Sequence, residues 1–553
     1  MVVPTPADPR DFARIQAPAE HSVPVDSDDR SRPLSPNRYA VQMETVWNGT
    51  WRGLGLRIER RRVDEDGGPT LRILTADRDE AQPREWIRFD AFDRRPHWHL
   101  DPAGADEIQP LDERVDPIAE SFALLTREGG ALLERAGAPE AVARAAAHPR
   151  DDDGAVLRAA ERAMRHRPAV LDALDPVHLR SRRSEKWHTY PADVLPAWVA
   201  EMDFPIAAAI QDELRRFVER ADVGYPIGLR QTGLPDVFCE RMTERFGWTP
   251  DARRVEILSE VVQGMYVALE AYSEPGDGVV VQTPIYPPFL GSTRDLKREL
   301  VENRMRLVGE RLEFDLDALE ASITKRSRVL LFCNPHNPSG RVHTRDELAR
   351  VAALAVEHDL VVVSDEIHAD LVFDGREHVP MATVSPEVAA RTVTLTSASK
   401  AFNIPGLRTA IAHFGDDALQ RRFNTVLHRH IRGGIGLFGI YATMAAWRWG
   451  QPWLDEVVPY LAENRNFVAE RLAERLPEVT FLRPEATYLA WLDCRPLGLE
   501  GRTAAHFLRN GQVALSEGTL FGPGWEGFVR LNLGTSRPIL AEVIDRMAKA
   551  VGR

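Results

Sequence analysis

Apolar positions change their spacing twice along the chain, and each change announces a different kind of element. From Tyr39 to about Pro110 they alternate with polar ones, as in Leu54-Gly-Leu-Arg-Ile58 and Leu71-Arg-Ile-Leu74, on either side of the turn signal Asp64-Glu-Asp-Gly-Gly-Pro69. Period-two alternation marks half-buried strands, so residues 39–110 are expected to form a small β-rich domain. Over 111–174 the spacing becomes helical: Ile118, Phe122, Leu125, Leu132 and Leu133 stand in Ala-, Leu-, Glu- and Arg-rich sequence. Two or three helices are expected there, with breaks at 137–139 and 149–154. After about Asp175 short continuous apolar runs, Gly278-Val-Val-Val-Gln282, Val329-Leu-Leu-Phe332, Leu360-Val-Val-Val363 and Val393-Thr-Leu395, alternate with helical stretches such as Arg345 to Glu357. Strands apolar on both faces and separated by helices predict an α/β fold with a mostly parallel sheet, whose ligands bind beyond the strand C-terminal ends.

Residues 1–38 are polar and proline-punctuated, and are read as a flexible leader. The whole chain has 553 residues, 44% of them hydrophobic, which suffices for two or three domains with a substantial core. Its net charge of -13 argues against a nucleic-acid partner. The three cysteines, Cys239, Cys333 and Cys494, are few and widely spaced, so neither a disulfide framework nor a zinc knuckle is legible. A reducing cytoplasm fits that usage. No apolar h-region opens the chain and no run of about 18 apolar residues occurs, so no membrane association is expected.

Three polar residues lie just past predicted strand ends: Asn337, Asp365 and Lys400. An amide, a carboxylate and an amine brought to one crevice can serve a phenolate oxygen, a ring cation and an aldehyde. The strings around them extend the pattern: Trp198-Val-Ala-Glu-Met-Asp-Phe204, Gly224-Tyr-Pro226, Thr283-Pro-Ile-Tyr-Pro-Pro-Phe289, Cys333-Asn-Pro-His-Asn-Pro-Ser-Gly340, Ser364-Asp-Glu-Ile-His368, Ser397-Ala-Ser-Lys-Ala-Phe-Asn-Ile-Pro-Gly-Leu407, Ala486-Thr-Tyr-Leu-Ala-Trp-Leu-Asp493 and Gly527-Phe-Val-Arg-Leu-Asn532. On these motifs the region from about 182 to 553 resembles the fold-type I pyridoxal-phosphate enzymes of the aminotransferase class I/II superfamily, and within them the cystathionine β-lyase type of carbon–sulfur lyase.

That resemblance implies roles residue by residue. Lys400 would bind pyridoxal 5′-phosphate covalently and, once displaced by substrate, act as the base at the α-carbon. Asp365 would face the protonated pyridine nitrogen, Asn337 the phenolate oxygen, with His368 nearby and Tyr286 stacked on the ring. The phosphate would lie at the loop-to-helix turn Glu260-Val-Val262, held by the amides of Val261 and Val262 and by Ser397, Ser399 and Arg408. Glu260 stands where small residues are commoner, so its carboxylate is expected to point away. Arg530 would clamp the substrate carboxylate as a planar fork, and Tyr225 would enter the site from a second subunit of a homodimer. The implied organisation is a large cofactor domain over 223–450 and a smaller α+β domain from 175–222 and 451–553.

Transamination and β-elimination share this equipment. The strings at 198–204 and 486–493 resemble the lyase subgroup, which implies cleavage of an S-substituted L-cysteine to thiol, pyruvate and ammonia. Glu201 departs from the commoner Ala-Asp-Met-Asp-Phe and leaves substrate positioning open. The alternatives are an aminotransferase and a scaffold acting through its N-terminal domain. The thiol-side pocket is sought around Tyr190, Phe204, Arg429 to Gly436 and Phe521. Residues 1–174 lie outside the resemblance, and a pathway partner for them is one reading. There, His97 and His99 share a strand face and would form half a metal site; with no third ligand legible they are read as structural, and no metal is assigned. Trp47, Trp51, Trp86 and Trp98 are expected in a small core.

Overall fold

The computed structural model describes residues 42–63, 66–75, 83–92, 96–111, 116–148, 153–166, 171–427 and 435–553. The leader, the turn tip at 64–65, the break at 149–152 and most of the 429–436 segment lie outside the described residues.

Six strands form one antiparallel sheet in which each pairs with the next: Gln42–Trp51, Leu54–Val63, Asp66–Thr75, Glu85–Asp90, His97–Leu100 and Glu107–Pro110. One face is apolar. Trp51, Leu56, Ile58, Leu71, Ile73, Ile87 and Phe89 are buried on it beneath three helices, Pro117–Arg135, Glu140–Ala147 and Asp153–Arg165. Trp86 and Trp98 are buried with this core and Trp47 packs against it. The other face is polar yet largely closed: Glu59, Thr70, Asp90 and His99 are all buried.

This module is docked on the rest of the chain through the helix Asp153–Arg165. Arg162 donates to the Arg448 carbonyl at 2.7 Å and pairs with Glu244 at 2.6 Å, Arg165 lies 4.1 Å over the Trp449 ring, and His166 meets Glu456 at 2.7 Å. Asp116, the N-cap of Pro117–Arg135, binds both Arg165 and Arg216 of the helix Ala208–Glu219.

The remainder has the α/β architecture its apolar runs predict. A seven-stranded sheet runs in the order Glu299–Arg304, Gly278–Thr283, Ser327–Cys333, Val361–Asp365, Thr392–Thr396, Ala410–Phe414, Val255–Leu258. The first five strands are parallel. Ala410–Phe414 is antiparallel to both neighbours. It follows Thr392–Thr396 through residues 397–409, which hold only single-turn helices and not the longer helix that usually makes the crossover to a parallel partner. A four-stranded antiparallel sheet, Thr480–Leu482, Leu489–Asp493, Phe528–Asn532 and Ser516–Glu517, packs with the helices Gln451–Arg475, Thr503–Gly511 and Arg537–Ala550. Among the described residues no helix is long and apolar enough to cross a membrane.

Candidate active site

Parallel strands deliver their next residues to one sheet edge, and here that edge is the floor of a cavity of about 290 Å³. Val261, Val262, Tyr286, Asn337, Asp365, His368, Ser397, Ser399, Lys400 and Arg408 all line it. A wider cleft of about 820 Å³ shares Glu185, Glu201, Pro405 and Arg408 with it and adds Arg182 and Arg183 at the opening.

Lys400 sits in the one-turn helix Ala398–Ala401, whose N-cap Ser397 accepts from the Ser399 amide at 3.0 Å and donates to the Thr409 carbonyl at 2.6 Å. The Lys400 ammonium donates to the Ala200 carbonyl at 2.8 Å. Burial and then the Arg530 guanidinium bring its pKa down to about 8, so an amine competent as nucleophile or base is accessible near neutrality.

Asp365 ends the strand Val361–Asp365 and accepts from the Ile367 amide at 3.1 Å, so it caps its own turn as well as facing the cavity. Burial raises its pKa to about 7. Among the described residues no cation is hydrogen-bonded to it; a protonated ring nitrogen placed against it would restore its ordinary acidity. Opposite charges at ~4 Å gain about 4 kcal/mol at an effective dielectric of 20.

Arg530, on the strand Phe528–Asn532, is buried over the Phe521 ring. It donates to Asn337 Oδ1 at 3.0 Å, to the Trp198 carbonyl at 2.9 Å and to Ser516 Oγ at 3.3 Å. No carboxylate pairs with it among the described residues, and burial pulls its pKa down to about 10. A buried guanidinium without an anion is a site waiting for one. Asn337 is thus oriented by Arg530, while its carbonyl accepts from the Tyr286 amide at 3.1 Å. His368 is buried against Tyr488, ring centroids 6.1 Å apart; burial, then Lys400 and Arg530, lower its pKa to about 3, and it is neutral.

One expectation needs correcting. Glu260 does not turn away: it lines the cavity and its carboxylate lies 3.0 Å from Arg408. The helix it precedes, Val261–Tyr272, has no side-chain cap at its N-terminus. Tyr225 is not part of this cavity. It stands fully exposed on the loop after Ala208–Glu219, with Val223 and Ile227 exposed beside it.

Residues without an assigned role hold the site's wall. Asn532 donates to the carbonyls of Val199 and Glu201, and Asn403 to those of Met202 and Phe204. The fully buried Lys186 pairs with Asp203 at 2.9 Å, and Tyr488 donates to the Ala200 carbonyl at 3.0 Å. Together they pin residues 198–204, which present carbonyls to Lys400 and Arg530. Asn403, Tyr488 and Asn532 all fall in motif strings, but Lys186 carries no local signal that sets it apart from a surface lysine. Of the segments sought for the thiol pocket, Tyr190 packs edge-on to Trp198 at 5.7 Å, and Phe521 lies under Arg530.

The donor set fits pyridoxal 5′-phosphate: a half-buried amine for its aldehyde, a buried acid lacking a cation, and an uncapped helix N-terminus beside Ser397, Ser399 and Arg408 for a phosphate. Comparison with known proteins agrees. The family model "Aminotransferase class I and II" matches residues 209–547, and a "Domain of unknown function (DUF7700)" matches 52–153. Cystathionine beta-lyase PatB of Bacillus subtilis is 37% identical over 361 residues, 65% of this chain and 93% of that protein. Cystathionine beta-lyase of Corynebacterium glutamicum is 35% identical, with 68% and 98% covered. The PLP-bound C-S lyase of Staphylococcus hominis superposes with a TM-score of 0.63 at 28% identity, covering 67% of this chain and 96% of that one. The chain belongs to the aminotransferase class I and II family.

Proposed function

We propose that the protein is a pyridoxal 5′-phosphate-dependent carbon–sulfur β-lyase that cleaves an S-substituted L-cysteine to a thiol, pyruvate and ammonia. The observation that carries this is the convergence of Lys400 and Asp365 on one cavity, whose Asn337 is held by the buried Arg530, a guanidinium with no carboxylate paired to it among the described residues. The likeness to proteins named cystathionine beta-lyase supports the choice of reaction.

Pyridoxal phosphate, when bound, supplies the electron sink that stabilises negative charge at the substrate's α-carbon. Asp365 would hold the ring nitrogen protonated, Asn337 the phenolate oxygen, and Ser397, Ser399, Arg408 and the amides of Val261 and Val262 the phosphate. Arg530 binds the substrate carboxylate and so fixes which bond at the α-carbon faces Lys400. Lys400 would hold the cofactor and would take the α-proton at Nζ; its lowered pKa leaves a useful fraction of free amine near pH 7–8. The carbonyl of Ala200 holds that amine in place. Tyr286, which lines the cavity, would cover the ring.

We read the working form as a cytoplasmic homodimer in which Tyr225 reaches into the second copy's cavity. The support is its full exposure on a loop whose Val223 and Ile227 also face out. The catalytic region divides into a large domain over 223–450 and a small one from 175–222 and 451–553, and the N-terminal module is a place for a pathway partner.

The test is direct. Purified protein given cystathionine or a cysteine S-conjugate should release pyruvate and thiol in equal amounts, and Lys400→Ala should abolish both this and the cofactor's yellow imine absorbance. Keto-acid-dependent amino transfer without pyruvate would show the reading to be wrong in favour of an aminotransferase.

A further inference from the structure

The polar face of the N-terminal sheet brings together three ligand-bearing side chains from two strands. Asp90 and His97 are directly opposite each other in the pairing of Glu85–Asp90 with His97–Leu100, and His99, two residues on, shares the face. His97 Nε2 lies 3.6 Å and His99 Nε2 lies 3.3 Å from Asp90 Oδ2, and all three ligand atoms fall within 4.8 Å of one another. Ligands about 2.1 Å from a common ion at tetrahedral or octahedral angles stand about 3.0–3.4 Å apart, so His99 already has that spacing from Asp90 while His97 has to close in slightly.

We propose that Asp90, His97 and His99 form a divalent transition-metal site. Three further observations support it. His99 is 5% exposed, and its Nε2, aimed at Asp90, has no hydrogen-bond partner among the described residues. Its Nδ1 lies 2.6 Å from Asp106 Oδ1. With Nδ1–H donated to that carboxylate and Nε2 unprotonated, the Nε2 lone pair faces the Asp90 oxygen, and a cation between them, a metal ion or a proton on Nε2, relieves the repulsion. The carboxylate–histidine–metal relay is the usual way a ligating imidazole is oriented.

Asp90 is already hydrogen-bonded at both oxygens. Oδ1 accepts from Thr70 at 2.6 Å and Arg61 at 3.2 Å, and Oδ2 from Arg88 at 3.0 Å and Arg61 at 3.4 Å. An ion at Oδ2, the atom nearest the histidines, would displace the long Arg61 contact. The two guanidiniums compete with a dication and set its affinity below that of an all-acidic site. Glu59 and Glu85, on the same sheet, pair with Arg72 and Glu85 also approaches Arg88 at 3.7 Å, so the face is not one-signed. Two imidazoles and a carboxylate suit zinc or ferrous iron, and three protein ligands leave a position open for water or a small ligand on the side of the half-buried His97.

Full-length protein should be stripped with chelator, titrated with Co²⁺ alone, and the as-isolated protein analysed for zinc and iron. About one equivalent of metal per chain with visible ligand-field absorption is expected. His97→Ala should lose it with the far-UV circular dichroism unchanged, and Asp106→Asn should bind about 10–100-fold more weakly. Asn accepts the positive φ of 47° at position 106, so that variant keeps the backbone and removes only the charge. Absence of uptake at micromolar free metal, or uptake equal in wild type and the His97→Ala/His99→Ala double variant, would overturn the proposal.

Discussion

Arg530 is held by Asn337, Trp198 and Ser516, all neutral, so its charge is reserved for a ligand. Arg530→Lys keeps the charge but loses the fork, and kcat/KM for an S-substituted cysteine should fall by about 2 kcal/mol, roughly 30-fold, most of it in KM; steady-state kinetics would show it. A second residue-scale expectation concerns His343, buried in a stack on Phe314 at 4.1 Å with no hydrogen-bond partner on either ring nitrogen among the described residues. Burial, then Arg341, hold its pKa well below 6.5 when folded. The unfolded chain takes up that proton near pH 6.5, so the stability present above that pH is lost as pH falls, at about 1.4 kcal/mol per unit. His343→Phe should flatten the acid side of the stability curve by that slope, seen in urea midpoints at pH 7 and 5.5. At this scale the sequence was readable where a residue sits in a motif, as for Lys400 and Arg530. It was silent on Asp90, because an acid at a strand end looks like any surface carboxylate until the pairing sets it opposite His97.

The helix Val261–Tyr272 begins at the cavity with backbone donors and no side-chain cap, an arrangement that attracts an anion. Glu260 instead takes Arg408 for itself. Bound phosphate must therefore displace one carboxylate from that guanidinium and lie near its negative charge. Glu260→Ser should lower the dissociation constant of pyridoxal phosphate by about 1 kcal/mol, roughly five-fold; fluorescence titration of apoprotein measures it, and an unchanged constant would mean that Glu260 swings clear at no cost. The family resemblance carries this turn's position in the sequence, but the rotamer of a half-exposed glutamate depends on Arg408, brought near from 148 positions away by the sheet.

Across the whole molecule, the N-terminal module touches the catalytic region through ion pairs and the stacking of Arg165 on Trp449, at a face that contains none of the cavity residues. A chain starting at Leu171 should keep kcat/KM within about three-fold, since distant sites act independently, while its thermal midpoint drops by several degrees as Trp449 loses its cover. A much larger loss of turnover would show that the module shapes the site. Hydrophobic spacing by itself determined the order of the three regions, the α/β class of the catalytic part and the crevice at its strand ends, because burial on one face or two imposes a period on every strand and helix. The motif strings carried the cofactor set, since each needs a fixed local turn. What only the tertiary structure decided is which distant groups meet: the reversal of Ala410–Phe414, the Glu260–Arg408 pair, Lys186 beneath the 198–204 segment and Asp90 across from two histidines. Each is a contact between residues far apart in the chain or on different strands, set by sheet register and packing, and a linear pattern carries no record of register.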